Sequence, residues 1–156
     1  MNQKKYLSIN EEHKASNSKV VLIVESDPIF IRVFSKILSK YSGLNNFSIK
    51  VSENTEEILL LAASGQIDAI LMDVVLPNSI YQGKPTDGFS IARLLKSNSK
   101  IASIPVLLTG SYSIDYGKSF LASSGADVYI PLPILDRQAF VEIVAKYTFK
   151  NSEDRL

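Results

Sequence analysis

Residues 69–77, Ala69-Ile70-Leu71-Met72-Asp73-Val74-Val75-Leu76-Pro77, decide the fold. Four consecutive apolar residues read as a short strand with no polar face, buried on both sides. Such strands belong to parallel sheets that carry helices on each face. The run ends on a carboxylate, Asp73, at the strand tip. A carboxylate in that position can ligate a hard metal ion or act as a nucleophile that forms an acyl phosphate.

Working outward, apolar runs rich in β-branched residues recur at 20–24, 47–51, 104–108 and 128–130, and each predicts another buried strand. A helical pattern follows every run. Asp27-Pro28 opens the first helix, with an acid suited to the cap and a proline suited to the first turn. Asn54 with Glu57 three residues on makes a capping-box pattern for the second, which stops at Gly65. The others are expected at 88–98, at 113–124 and at 136–147. Strand and helix alternate five times, so the fold class is α/β: a doubly wound, five-stranded parallel sheet. Residues 1–18 and 149–156 are polar and aperiodic and read as tails, leaving one domain at 19–148. His13 and the Lys4-Lys5 pair fall in the first tail and read as solvated.

Composition narrows the function. The chain has 156 residues, and domains typically span about 100–200, so a second full domain does not fit. There is no cysteine and a single histidine, which excludes disulfides, thiolate metal sites, a cysteine nucleophile and multi-histidine metal centres. Lysine and arginine number 17 against 16 acids, with no basic stripe, so nucleic acid is not an expected partner. No apolar run reaches the ~18–20 residues of a membrane span, and the polar start lacks a signal-peptide core. A cytoplasmic setting is expected. Neither Gly-x-Gly-x-x-Gly nor a Walker-type loop is present, which argues against a small-molecule enzyme or a flavodoxin-like cofactor binder.

In open parallel sheets the working site lies beyond the carboxyl ends of the strands. Those ends read Glu25-Ser26-Asp27, Ser52-Glu53, Asp73, Thr109-Gly110 and Pro131-Leu132-Pro133. Glu25 can share a magnesium ion with Asp73, and Thr109 can hydrogen-bond a phosphoryl oxygen.

The ordered set resembles the receiver (CheY-like) domain of two-component response regulators, a flavodoxin-like fold. The motifs that carry the resemblance are Val21-Leu22-Ile23-Val24-Glu25-Ser26-Asp27-Pro28, Ile67-Asp68 with the 69–77 stretch, and Asp87-Gly88-Phe89. Ile104-Pro105-Val106-Leu107-Leu108-Thr109-Gly110 and Gly125-Ala126-Asp127-Val128-Tyr129-Ile130-Pro131-Leu132-Pro133 complete it. The resemblance implies a phosphoacceptor at Asp73. It also implies magnesium held by Glu25, Asp73 and the Val75 backbone carbonyl, with Thr109 as the switch hydroxyl and Tyr129 as the aromatic that follows it. Pro133 matches a proline that follows a cis peptide bond. Implied partners are a histidine kinase or phosphotransfer protein and a downstream protein target. That target would dock on the fourth helix, fifth strand and fifth helix, since no output domain is expected after them.

Three departures stand beside these matches. Ser26 occupies the second position of the family's acidic pair, which weakens magnesium binding, and Asp27, one position late, reads as the helix cap. Leu132 replaces the lysine whose ammonium neutralises phosphoryl oxygens. Gly88 follows Pro77 by eleven positions, so residues 78–86 form an inserted loop at the rim, able to close the site, reshape access or present a partner surface. Lys84 on that loop reads as solvated, with replacement of the missing cation as the alternative. The departures support a second reading, a pseudo-receiver that binds protein without phosphorylation.

Overall fold

The computed structural model describes residues 18–41 and 46–153. Residues 1–17, and with them His13 and Lys4-Lys5, lie outside the described residues. The elements are β1 (Ser18–Val24), α1 (Pro28–Tyr41), β2 (Asn46–Val51), α2 (Thr55–Ala63), β3 (Ala69–Asp73), β4 (Ile80–Tyr81), β5 (Lys84–Pro85), α3 (Gly88–Ser97), β6 (Val106–Gly110), α4 (Ile114–Ser124), β7 (Val128–Pro131) and α5 (Arg137–Glu153). Five strands form one sheet in the order β2-β1-β3-β6-β7, every neighbouring pair parallel.

Strand alternation splits the core in two. On β1, Leu22 and Val24 join Ile58, Ile70, Met72, Ile91, Leu95 and Leu108 on the face covered by α2, α3 and α4. Val21 and Ile23 join Phe34, Leu38, Leu71, Leu107, Phe140 and Val144 on the face covered by α1 and α5. Because strands such as β3 are apolar on both faces, neither layer can be removed without exposing the other side of the same strand. Among the described residues no helix is long and apolar enough to cross a membrane.

Three local differences from the sequence reading have physical causes. β6 begins at Val106 rather than at 104, because Pro105 has no N–H for the ladder; its carbonyl still accepts from Ile70 N at 2.9 Å. α5 continues through Glu153, so residues 149–153 are helix rather than tail. The inserted loop is an antiparallel hairpin, with Ile80 opposite Pro85 and Tyr81 opposite Lys84. Gln82 and Gly83 at its tip have φ of 50° and 75°, the two positive values that let a tight turn follow the twist of its strands. Ser79 anchors the hairpin: it is buried, and its hydroxyl donates to the Glu53 carbonyl at 2.8 Å.

The caps form as read. Asn54 Oδ1 accepts from Glu57 N at 2.9 Å, but the return arm of the box runs through a relay. Glu57 accepts from the Ser52 hydroxyl, and Asn54 N donates to that same hydroxyl at 3.2 Å.

Candidate functional site

β1 lies between β2 and β3, so the chain leaves β1 to one side and returns on the other. Loops at that reversal part and leave a crevice. A cleft of about 470 Å³ opens there, lined by Glu25, Ser26, Asp27, Phe30, Asp73, Val75, Pro77, Ser111 and Tyr112. Three of these nine residues are acids and none is a cation.

Glu25 is 5% exposed. Its Oε1 accepts from the backbone N–H groups of Ser26 and Asp27, each at 3.0 Å, while Oε2 is buried with no hydrogen-bond partner in the described residues. Asp73 ends β3 half-buried, its Oδ1 accepting from Val75 N at 2.6 Å. Burial pushes the Glu25 carboxyl up to about 7, and the adjacent Asp73 carboxylate adds to the rise against the two backbone donors. Asp73 is also raised above the ordinary carboxylate range, chiefly by burial, with the Val75 N–H and Glu25 opposing. Two carboxyls held together without a counter-ion suit a cation.

The donor set fits magnesium in its number and type. Magnesium keeps several waters and is commonly bound through one or two carboxylates together with substrate phosphates. Among the described residues no group of three or more His, Cys, Asp or Glu is placed to hold an ion together. Two carboxylates, Glu25 and Asp73, lie together on the cleft wall, with Val75 beside them.

Thr109 pairs with Asp73 across the ladder and is fully buried, its hydroxyl without a partner in the described residues. The Thr109 carbonyl accepts from Val74 N at 2.9 Å, which ties the loop after Asp73 to β6. Tyr129, on β7, is buried and donates from its hydroxyl to the Tyr112 carbonyl at 2.9 Å. Its ring occupies a slot that exists because residue 117 is glycine: a Cβ there would lie 2.1 Å from Tyr129 Cδ1. Phe120 meets Tyr129 edge-on at 6.1 Å and also meets Tyr112 at 5.2 Å, so the aromatic cluster joins α4 to the cleft wall.

The departures are placed as follows. Ser26 is half-buried and lines the cleft. Leu132 is absent from the cleft lining and packs against the core layer under α1 and α5, and its N–H donates to the Gly110 carbonyl at 2.8 Å. The Leu132–Pro133 peptide bond is cis. Lys84 is exposed on the hairpin, and neither it nor any other residue of 78–86 lines the cleft. The hairpin stands against α2 and the loop after β2 instead.

Sequence reasoning missed Phe30, Pro77, Ser111 and Tyr112 as walls of the cleft. Ser111 and Tyr112 carried a usable signal, since they directly follow the strand end at Gly110. A glycine at position 117, inside a helix, was the available hint to the Tyr129 slot.

Residues 21–145 match the family model described as the response regulator receiver domain, and the chain belongs to that family. The chain is homologous to response regulators of two-component systems, and phosphorylation of an aspartate is general for the family. A gliding motility regulatory protein of Myxococcus xanthus is 30% identical over 128 residues, which are 82% of this chain and 15% of that protein. Response regulator MprA of Mycolicibacterium vanbaalenii is 29% identical over 127 residues, 81% of this chain and 47% of that one. The chain thus spans less than half the length of these relatives. A receiver domain of a sensor histidine kinase of Pseudomonas aeruginosa, crystallised with magnesium coordinated in its active-site cleft, superposes with a TM-score of 0.67. That likeness covers 84% of this chain and 98% of the other at 20% identity, and it shows the shared fold.

Proposed function

We propose that Asp73 is the phosphoacceptor of this receiver. The observation that carries the reading is a strand-end carboxylate open to a cleft, beside a second acid whose Oε2 is buried and unpartnered. An Asp73 oxygen attacks the phosphorus of a phosphohistidine on a histidine kinase or phosphotransfer protein. The new O–P bond forms as the P–N bond breaks, and the leaving imidazole nitrogen keeps the electron pair and takes a proton. Glu25, Asp73 and the Val75 carbonyl would hold magnesium. A bound magnesium ion supplies positive charge to the phosphoryl oxygens, a task that falls to it alone here because no cationic side chain lines the cleft.

Thr109, paired with Asp73 across the ladder and buried behind the cleft wall, would offer its unpartnered hydroxyl to the acyl phosphate. The Tyr129 hydroxyl holds the Ser111–Tyr112 wall through the Tyr112 carbonyl, so a change at Thr109 reaches α4 through that wall. A downstream protein reads the result on the α4–β7–α5 face. Exchange with a histidine kinase or phosphotransfer protein makes the setting cytoplasmic.

Acetyl phosphate with magnesium should add one phosphoryl group to the intact mass, and Asp73→Asn should abolish the gain. Beryllofluoride with magnesium should shift the Thr109 and Tyr129 resonances in the wild type alone. A wild-type protein that shows neither change at millimolar magnesium would sink the proposal and favour a phosphorylation-independent binding module.

A further inference from the structure

The cleft contains a third carboxylate with two attachments. Asp27 Oδ1 accepts from Ile29 N at 2.8 Å and so caps α1. Its backbone N–H donates to Glu25 Oε1 at 3.0 Å, which fixes its distance from the buried acid. The cap uses one carboxylate oxygen and leaves Oδ2 uncommitted among the described residues, while Asp27 is part of the cleft wall. Helix capping therefore does not exhaust this side chain.

A row of acids alone would not make a site. Here Glu25 supplies the independent observation: it is 95% buried by its 5% exposure, it lines the cleft, and its Oε2 has no partner among the described residues. An oxygen removed from water in that way calls for a positive charge or a donor. Glu25, Asp27 and Asp73 surround a space with no lysine, arginine or histidine in its lining. The same lining contains Ser26, which has no charge to give.

We propose that Asp27 is the missing second acid of the cation site, and that it acts through a metal-bound water rather than by direct ligation. The assignment rests on the magnesium reading above. Among the described residues no three His, Cys, Asp or Glu side chains are grouped to hold one ion together, so the arrangement proposed uses a water between the ion and Asp27. Magnesium retains waters when protein ligands are few, and those waters need acceptors. The Oδ2 atom of Asp27 is the acceptor available on the same loop as Glu25. One residue thus does two jobs: Oδ1 ends α1, and Oδ2 holds the hydrated side of the ion. The acid one position late in the sequence compensates for Ser26.

Manganese(II) is a spectroscopic stand-in for magnesium at oxygen sites, and its binding is read from the loss of the free-ion electron paramagnetic resonance signal. Asp27→Asn is the informative variant, because asparagine caps a helix as well as aspartate does and only the charge is lost. Asp27→Ser, a second good cap, guards against a fault peculiar to the amide. Both should keep the wild-type melting temperature within a few degrees and bind manganese about tenfold more weakly, the low end for loss of a group that holds a ligand in place. Glu56→Gln, on the exposed first turn of α2, removes a distant acid and should leave affinity unchanged. In a Ser26→Asp background, where the usual pair is restored, Asp27→Asn should lose most of its effect.

Affinity within twofold of wild type in both Asp27 variants, with Asp73→Asn still abolishing binding, would overturn the assignment and leave the magnesium reading standing. An equal loss in Glu56→Gln would overturn it as well, by showing a general field effect. A wild-type protein that binds no manganese in an Asp73-dependent way would bring down the magnesium reading and this assignment together.

Discussion

The two rims of the same sheet treat their carboxylates in opposite ways. At the amino-terminal rim, Asp68 accepts from Val20 N at 2.8 Å and Asp127 accepts from Val106 N at 2.8 Å. Each extends a ladder one step past the strand end, and each has a lysine: Lys19 at 3.9 Å from Asp68 and Lys96 at 2.8 Å from Asp127. Lys96 is itself tied down, donating to the Ala102 and Ile104 carbonyls at 3.0 and 2.8 Å. At the carboxyl rim, Glu25 and Asp73 face one another in a cleft with no cation in its lining, and the Glu25 Oε2 and Thr109 hydroxyl are left over. The apolar strands are the same at both ends, so the contrast lies wholly in the loops. Satisfied carboxylates stitch strands together, whereas unsatisfied ones hold the sheet ready for a ligand at some expense in stability.

The largest effect that could break this comparison is at Asp127. Asp127→Ala removes the carboxylate beside the Lys96 ammonium, which keeps its two carbonyl acceptors, and leaves Val106 N without its acceptor. Loss of the acceptor of a strand-end N–H together with one member of a partly exposed ion pair should destabilise the fold by about 2–3 kcal/mol. Asp73→Ala, the matching truncation at the other rim, should have no destabilising effect above neutral pH. Urea unfolding of both variants checks the contrast. Equal losses would mean that the two rims are not different in kind.

The second test is the pH dependence of the carboxyl rim without metal. Glu25 titrates near 7 in the folded chain against an ordinary value of 4.5, so the folded state holds this proton more tightly than the unfolded state. Below pH 4.5 both states are protonated and burial carries no electrostatic penalty. Between 4.5 and 7 the unfolded chain loses the proton first, so unfolding free energy falls as pH rises, and above 7 the penalty is complete. The raised Asp73 adds in the same direction. Glu25→Gln should flatten this slope and gain on the order of 2 kcal/mol at pH 8 in chelator. A variant less stable than wild type at pH 8 would show that Glu25 is a structural acid like Asp127.

How much of this was readable depended on the range over which each signal acts. The tip of β3, the Asp27 and Asn54 caps and the apolar run of β1 are consequences of neighbours within a few positions, and they could be read from the sequence. The hairpin at 80–85 was not, because its turn is Gln82-Gly83 rather than the Asn-Gly or Asp-Gly pair that advertises such a turn. Tyr129 lies beneath Gly117, twelve positions earlier and on another element, a juxtaposition that only packing creates. The alignment of Leu132 with the family lysine was visible, but its attachment to the α1/α5 core was not. For the site, residue types and order were legible. The cation-free lining and the unpartnered Oε2 of Glu25 needed three dimensions.

The smallest effect separates two explanations of the amino rim itself. Lys19 and Asp68 are 3.9 Å apart with side chains 25% and 22% exposed, a long pair at the edge of the molecule. Pairs of that kind contribute about 0–1 kcal/mol, so Lys19→Ala should change stability by less than about 0.5 kcal/mol, and added salt should abolish even that. Asp68→Ala should instead lose about 1–2 kcal/mol, because Val20 N is left without the oxygen that receives it at 2.8 Å. The two variants, unfolded in urea at low and high salt, tell whether the carboxylate acts as a hydrogen-bond acceptor or as half of an ion pair. If Lys19→Ala proved as harmful as Asp68→Ala, charge pairing rather than hydrogen bonding would be the organising feature of that rim. The carboxyl rim would then differ from it only by lacking cations. If Asp68→Ala alone is harmful, the difference between the rims is one of hydrogen-bond satisfaction, and Glu25 Oε2 is the atom on which it turns.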